Sequence, residues 1–208
     1  MQTSKIDRRV NRTRRLLRES LMSLVVERGY DTVTIEDITN RAELGRTTFY
    51  LHYKDKEELL LESIDMIADE VTEKIAREVS SREETGIDFN HPNRFRPILV
   101  VFQHAAENRM LYQIILHGEG SPAAATRIRK IIYDAARMFF SVQVNQNLKV
   151  RLTEEQLALI AGYYSSSLLG YITWWLETES KYTPEQMGEY FRIFFFKGVR
   201  GFVQEGSA

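Results

Sequence analysis

Apolar side chains recur along this chain every three to four residues, and no stretch of useful length alternates apolar with polar positions. A period near 3.6 marks one face of a helix and a period of 2 marks a strand, so the pattern predicts an all-α protein. Ile35, Ile38 and Ala42 stand at i, i+3 and i+7, the apolar stripe of a short helix over about 35–41. Thr34 is placed at its N-cap with Asp37 three residues on, a start resembling a capping box. Glu43-Leu44-Gly45 leaves room only for a tight turn, and the next helix begins near Gly45 and ends near His52, with Leu44 and Phe49 inward. Further helices are predicted from about Lys56 to Ser80, Phe95 to Asn108, Met110 to Leu116 and Ala123 to Asn145. Between them lie a polar segment over 81–92, a break at Gly118–Pro122 and a turn over Asn145–Leu152. Thr153 and Gln156 open a helix whose Leu157–Leu176 stretch carries no charge. Thr183, Pro184 and Gln186 open the last, which runs to about Gln204.

The two short helices and their turn have the spacing of a helix-turn-helix. On the second, Arg46, Thr47 and Tyr50 fall at i, i+1 and i+4 on the outward face. Arg can donate two hydrogen bonds to the major-groove edge of guanine, Thr offers a hydroxyl and a methyl for thymine, and Tyr can reach a base or a phosphate. His52, Lys54 and Lys56 sit at the junction with the following helix, where cations and amides suit phosphate oxygens. Upstream, residues 1–18 hold Lys5, Arg8, Arg9, Arg12, Arg14, Arg15 and Arg18 against a single acid, Asp7. The whole chain has 28 basic and 29 acidic residues, so this positive segment is local and not compositional. Beside a helix-turn-helix, its arginines, Arg8, Arg9 and Arg12 among them, are expected to neutralise phosphates and make binding fall with salt.

Residues 12–60 resemble the N-terminal domain of the TetR family of bacterial regulators. The resemblance rests on Glu27-Arg28-Gly29-Tyr30 at the end of a first helix, Thr34 and Ile38, Ala42, the Thr48-Phe49-Tyr50 and His52-Tyr53 run, and Lys56 with Leu59. It implies base contacts from Arg46, Thr47 and Tyr50 and phosphate contacts from Thr34, Thr48, His52 and Lys56. Two positions depart from it: Glu43-Leu44-Gly45 stands where many members have Gly-Val-Ser, and Thr47 stands where a glycine is common. The C-terminal part resembles a subgroup found among low-GC Gram-positive bacteria, through its Leu168-Leu169-Gly170-Tyr171 and Trp174-Trp175 run.

The length, 208 residues, suits a DNA-binding head over 1–55 and a larger helical regulatory and dimerisation domain over 56–208. No cysteine is present and the N-terminus is charged without an apolar run, which fits a cytoplasmic protein with no secretory signal. The uncharged Leu157–Leu176 stretch has the length of a bilayer span, but seven hydroxyls and two glycines make it polar for one, and a helix buried all round is expected instead. Gly162, Ser166, Leu169 and Thr173 on that helix, and Met187, Phe191, Phe194, Phe195, Gly198 and Phe202 on the last, form stripes that suggest a homodimer surface. The family resemblance implies that the last two helices pack across a two-fold axis and that an effector pocket lies in the C-terminal domain. Phe102, Tyr112, Met138, Phe139, Tyr171 and Trp175 are the candidates for lining it.

Enzyme chemistry finds no support. His52, His91, His104 and His117 are too dispersed for a local metal-ligand pattern, and no nucleophile elbow or glycine-rich phosphate loop appears. No cofactor is expected, and the partners expected are a double-stranded operator, a second copy, and a small-molecule or protein effector. The sequence leaves open an activator answering to a protein partner, or an interaction scaffold whose helix-turn-helix has lost DNA binding, a reading that Glu43 keeps alive.

Overall fold

A computed structural model describes residues 3–80, 97–116, 121–147, 152–178 and 180–205. Among them are nine helices and no strand: α1 Thr3–Arg28, α2 Ile35–Arg41, α3 Arg46–Tyr50, α4 Lys56–Ser80, α5 Pro97–Glu107, α6 Arg109–Leu116, α7 Pro122–Asn147, α8 Glu154–Glu177 and α9 Pro184–Glu205. The all-α expectation holds. The predicted loop over 81–92, Phe95 and the Gly118–Gly120 part of the break lie outside the described residues, as does the 148–151 part of the predicted turn. Helix α7 continues through Asn147, two residues beyond the predicted stop.

Local chemistry explains the helix ends. Gly29 adopts φ +78° just past α1, where its N–H reaches the Val25 carbonyl at 2.9 Å, a left-handed closure that costs glycine little. Thr34 caps α2 in a full capping box, and Thr153 caps α8 in another with Gln156. At the start of α9, Thr183 and Gln186 exchange the equivalent pair of bonds. Helix α3 is shorter than predicted. The His52 N–H bonds to the Phe49 carbonyl three residues back, a tightened turn that ends α3 at Tyr50.

The chain divides into two compact units, Met1–Ile67 with Met110–Arg127, and Ala68–Arg109 with Ile128–Ala208. In the first, Leu17, Leu21 and Val25 of α1, Ile38 of α2, Phe49 of α3, Tyr53, and Leu59 of α4 are almost fully buried together. Each large side chain removed from water in this way contributes roughly 1.5–3 kcal/mol before entropy is charged against it. Arg127 makes a two-pronged ion pair with Asp65 at 2.6 and 2.7 Å, and Ser121 donates to Glu57 at 2.8 Å. In the second unit, Phe102 of α5, Phe140 of α7, Leu168, Ile172 and Trp175 of α8, and Met187, Phe191 and Phe195 of α9 form the core. Helices α5 and α9 approach so closely at Gly188 that an added Cβ would sit 3.4 Å from the Leu99 Cα.

Helix α8 is not buried all round, contrary to the sequence expectation. Leu157, Ile160, Ala161, Ser165, Leu168 and Ile172 face the core, whereas Leu159, Tyr163, Ser166, Gly170 and Trp174 are exposed. Its missing charges conceal two faces, one packed within the chain and one left open. Among the described residues, no helix is long and apolar enough to cross a membrane.

Candidate nucleic-acid interface

The helix-turn-helix is built from α2, a turn over Ala42–Gly45, and α3. The chain reverses at Glu43, the one described non-glycine residue with positive φ, at +54°. A carboxylate-bearing residue there carries a steric cost of about 1–2 kcal/mol that glycine avoids. The Leu44 N–H closes the turn onto the Thr39 carbonyl at 2.9 Å, and Phe49 anchors α3 with no exposed surface. With Phe49 fixed inward, the opposite face is set: Arg46, Thr47 and Tyr50 are all exposed, Tyr50 at 53%. The three side chains singled out for base reading therefore share one solvent-facing surface. Gly45 gives α3 no side-chain cap. The Arg46 guanidinium lies 3.6 Å from the carboxylate of Glu36 on α2, and both are well exposed.

Ion pairs lock the scaffold behind this face. Asp37 accepts from the Thr34 backbone and hydroxyl at 2.9 and 2.6 Å and pairs with Arg28 at 2.7 Å. The Arg28 guanidinium, followed by Thr34, holds the Asp37 carboxyl well below the usual carboxylate range. Arg41 of α2 makes a forked pair with Glu27 of α1, one arm at 2.7 Å, and also donates to Ser23 at 2.8 Å. That fork lowers the Glu27 pKa.

The expected phosphate contacts separate on inspection. Thr48 and His52 are half-buried and Lys54 is exposed. Arg8, Arg9 and Arg12 project from α1 as exposed side chains. Thr34 is committed to its capping box in both directions, accepting from the Asp37 N–H and donating to its carboxylate. Lys56 differs most from expectation. Its ammonium donates to the Tyr30 and Val33 carbonyls at 2.8 and 2.7 Å and sits 4.1 Å from the centre of the Tyr30 ring. Two carbonyls and a ring face account for its three donors, so Lys56 braces the α1–α2 loop instead of offering its charge to phosphate, a correction to the sequence reading. Burial lowers its pKa and pushes the Tyr30 phenol up to about 12.

Sequence reasoning missed Glu62. Its carboxylate on α4 accepts from Arg18 at 2.9 Å and from the Tyr53 hydroxyl at 3.0 Å, with Arg14 at 3.6 Å. Arg14 also lies over the Tyr53 ring at 5.5 Å. Burial and then Glu62 push the Tyr53 phenol up to about 12. Two of the seven cations of the N-terminal segment are thereby turned inward. With 44 residues between Arg18 and Glu62, no local spacing could have signalled the pair.

Two family models match this arrangement in sequence: one described as bacterial regulatory proteins, tetR family, over residues 17–63, and one described as a transcriptional regulator C-terminal region over residues 95–197. The chain belongs to the TetR family. Its helix-turn-helix, α2 to α3, lies within the part matched by the model of bacterial regulatory proteins. The "Uncharacterized HTH-type transcriptional regulator YxbF" of Bacillus subtilis (strain 168) is 27% identical over 195 residues, which are 91% of this chain and 46% of that protein. The chain thus spans about half the length of the curated relative it matches. A TetR-family regulator from Syntrophomonas wolfei superposes with a TM-score of 0.70 at 20% identity, covering 88% of this chain and 92% of that one. The fatty acid degradation regulator FadR from Bacillus halodurans gives 0.67 at 17%, covering 90% and 96%. RolR in complex with resorcinol gives 0.63 at 22%, covering 92% and 89%. At these identities the three structures show that the TetR fold is shared.

The regulatory candidates are placed less uniformly. Met187, Phe191 and Phe195 are 1–3% exposed, and Phe191 stacks on Phe195, which packs on Tyr163 and Tyr164 of α8, so the three belong to the core of the TetR chain itself and not to a partner surface. Gly162, Leu169 and Thr173 are half-buried; Ser166, Phe194 and Gly198 are exposed, and the Phe202 side chain lies outside the described residues. Of the pocket candidates, Met138 is 69% exposed and cannot line an interior cavity. Phe102 and Trp175 are packed edge to face at 5.7 Å, and Trp175 donates to the Tyr182 carbonyl at 3.0 Å. Phe139 and Tyr171 are half-buried, and Tyr112 belongs to the other compact unit.

Proposed function

We propose that this TetR-family chain acts as a homodimer that reads a pseudo-palindromic operator, represses transcription there, and is released by an effector. The observation that carries the operator reading is the outward face of α3: Arg46, Thr47 and Tyr50, presented together by a buried Phe49. Arg46 donates to guanine, Thr47 and Tyr50 complete the base contacts, and Thr48, His52, Lys54, Arg8, Arg9 and Arg12 meet phosphates. Thr34 and Lys56 hold α2 and the loop before it. Residues 1–55 supply DNA binding and 56–208 regulation and dimerisation, inside the cytoplasm and without catalysis.

The exposed aromatic and aliphatic side chains on α8 and α9 support the dimer. Leu159, Tyr163 and Trp174 of α8 and Phe194 of α9 are 48–61% exposed, more apolar surface than a helix pair keeps in water without a partner. A two-fold dimer places recognition helices about 34 Å apart, on successive major-groove faces. Effector release is supported by a relative of the same fold, RolR, which was solved with resorcinol. A small molecule is accordingly favoured over a protein effector.

The test is a chain carrying Arg46→Ala with Tyr50→Ala, assayed for dimerisation and for binding to an operator selected from random duplexes. The regulator loses sequence preference and stays dimeric. An interaction scaffold with a silent helix-turn-helix would lose nothing.

A further inference from the structure

Leu51 is the most exposed large apolar side chain among the described residues, at 76%. It is the C-cap of α3, with φ −72° and ψ −19°, and its N–H bonds to the Thr47 carbonyl at 3.1 Å. Its backbone therefore continues the helix, and its Cβ direction is fixed by the helical period. Successive residues advance about 100° around the axis, which places Arg46, Tyr50, Thr47 and Leu51 in that order across an arc of about 140°. Phe49 lies on the opposite side, fully buried. Leu51 thus forms the far edge of the base-reading face, beside Thr47, on the side away from Arg46.

An isolated surface leucine needs no explanation in general. Here the side chain is continuous with the DNA interface, and its chemistry restricts what it can meet there. It neither donates nor accepts a hydrogen bond. The thymine C5-methyl is the apolar group that the four base pairs present in the major groove. We propose that Leu51 is a specificity-determining residue that packs on the C5-methyl of a thymine in each operator half-site. The inference rests on the operator reading proposed above. Arg46 at one end of the face and Leu51 at the other divide the half-site into a guanine-reading and a thymine-reading part.

The test is a cycle that deletes each partner separately. On an operator selected from random duplexes, thymines of one half-site are replaced one at a time by deoxyuridine, which removes only the methyl. Binding is measured for the unaltered chain, for Leu51→Ala and for Leu51→Gln. Both substitutions sit at an exposed helical position, and circular dichroism checks that each variant is folded. At one thymine, deoxyuridine should weaken the unaltered chain about fourfold, the worth of one buried methyl-sized group. Both variants should lose a comparable factor on the thymine duplex and be indifferent to uracil at that position. If uracil and the Leu51 substitutions weaken binding independently at every thymine, or if uracil is harmless throughout, the assignment is overturned while the operator reading stands. A selection that enriches nothing removes the operator reading and this inference with it.

Discussion

Arg18 and Arg12 of the basic segment over residues 1–18 are placed for two different jobs, and replacing each in turn separates them. Arg18 is 15% exposed and donates to Glu62 at 2.9 Å; Arg12 projects into solvent. Arg18→Ala removes a charge-assisted bond in a part-buried setting, worth about 1.5–3 kcal/mol, and Glu62 keeps Tyr53 and Arg14 at the site. In a chain of this size each kcal/mol moves the melting midpoint by about 2–4 °C, so Arg18→Ala should lower it by roughly 3–12 °C. Arg12→Ala, at an exposed site, should cost under about 0.5 kcal/mol. The salt dependence of DNA binding should show the reverse. Losing Arg12 from both subunits of a dimer removes about two phosphate contacts and flattens the slope of log affinity against log salt by about 1.8, whereas losing Arg18 leaves that slope unchanged. Thermal melts followed by circular dichroism and fluorescence anisotropy on a labelled duplex across a salt series read both quantities. An Arg18→Ala chain that melts normally and flattens the slope as Arg12→Ala does would refute the division.

Three further outcomes follow from the same geometry. Lys56→Met should cost about 1–3 kcal/mol through two lost carbonyl bonds and the Tyr30 ring contact, lowering the melting midpoint while the salt slope of DNA binding stays the same. Phe194→Glu, at a site 61% exposed on α9, should convert the dimer to monomer in light scattering while leaving the helical content intact. His104 is buried on α5, and burial and then Lys74 lower its pKa, against the opposing Glu107 and Glu70. Its neutral form is the folded one, so stability should fall as pH drops below the unfolded value of about 6.5, where the unfolded chain gains a proton that the folded one resists. His104→Gln should flatten the melting midpoint between about pH 7 and pH 5.

What the sequence disclosed is what neighbours along the chain decide. The capping boxes at Thr34 with Asp37 and Thr153 with Gln156 each involve residues three apart, and both are present. The inward Phe49 and the bounds of α4 followed from helical period alone. Contacts between distant segments were not legible. Lys56 meets carbonyls 26 and 23 residues away, and Glu62 collects side chains 9 to 48 residues off; neither spacing leaves a local trace. The α9 stripe was misjudged for a related reason. Met187, Phe191, Phe194 and Phe195 read as one apolar face, but α5 and α8 cover three of them and leave Phe194 in solvent. Met138 erred the same way: it adjoins half-buried Phe139 and buried Phe140, and three consecutive apolar residues on a helix cannot all face inward.

The central claim, sequence-specific operator reading by a two-fold dimer, is tested most directly by selection from random DNA duplexes with the purified chain. Affinity for the winner and for a scrambled control is then measured at two salt concentrations. The account predicts enrichment of an inverted repeat whose half-sites lie about one helical turn apart or a multiple of it, with steep salt dependence for both duplexes and tighter binding to the winner. Weak and equal binding to both duplexes, with no enriched repeat, would contradict it.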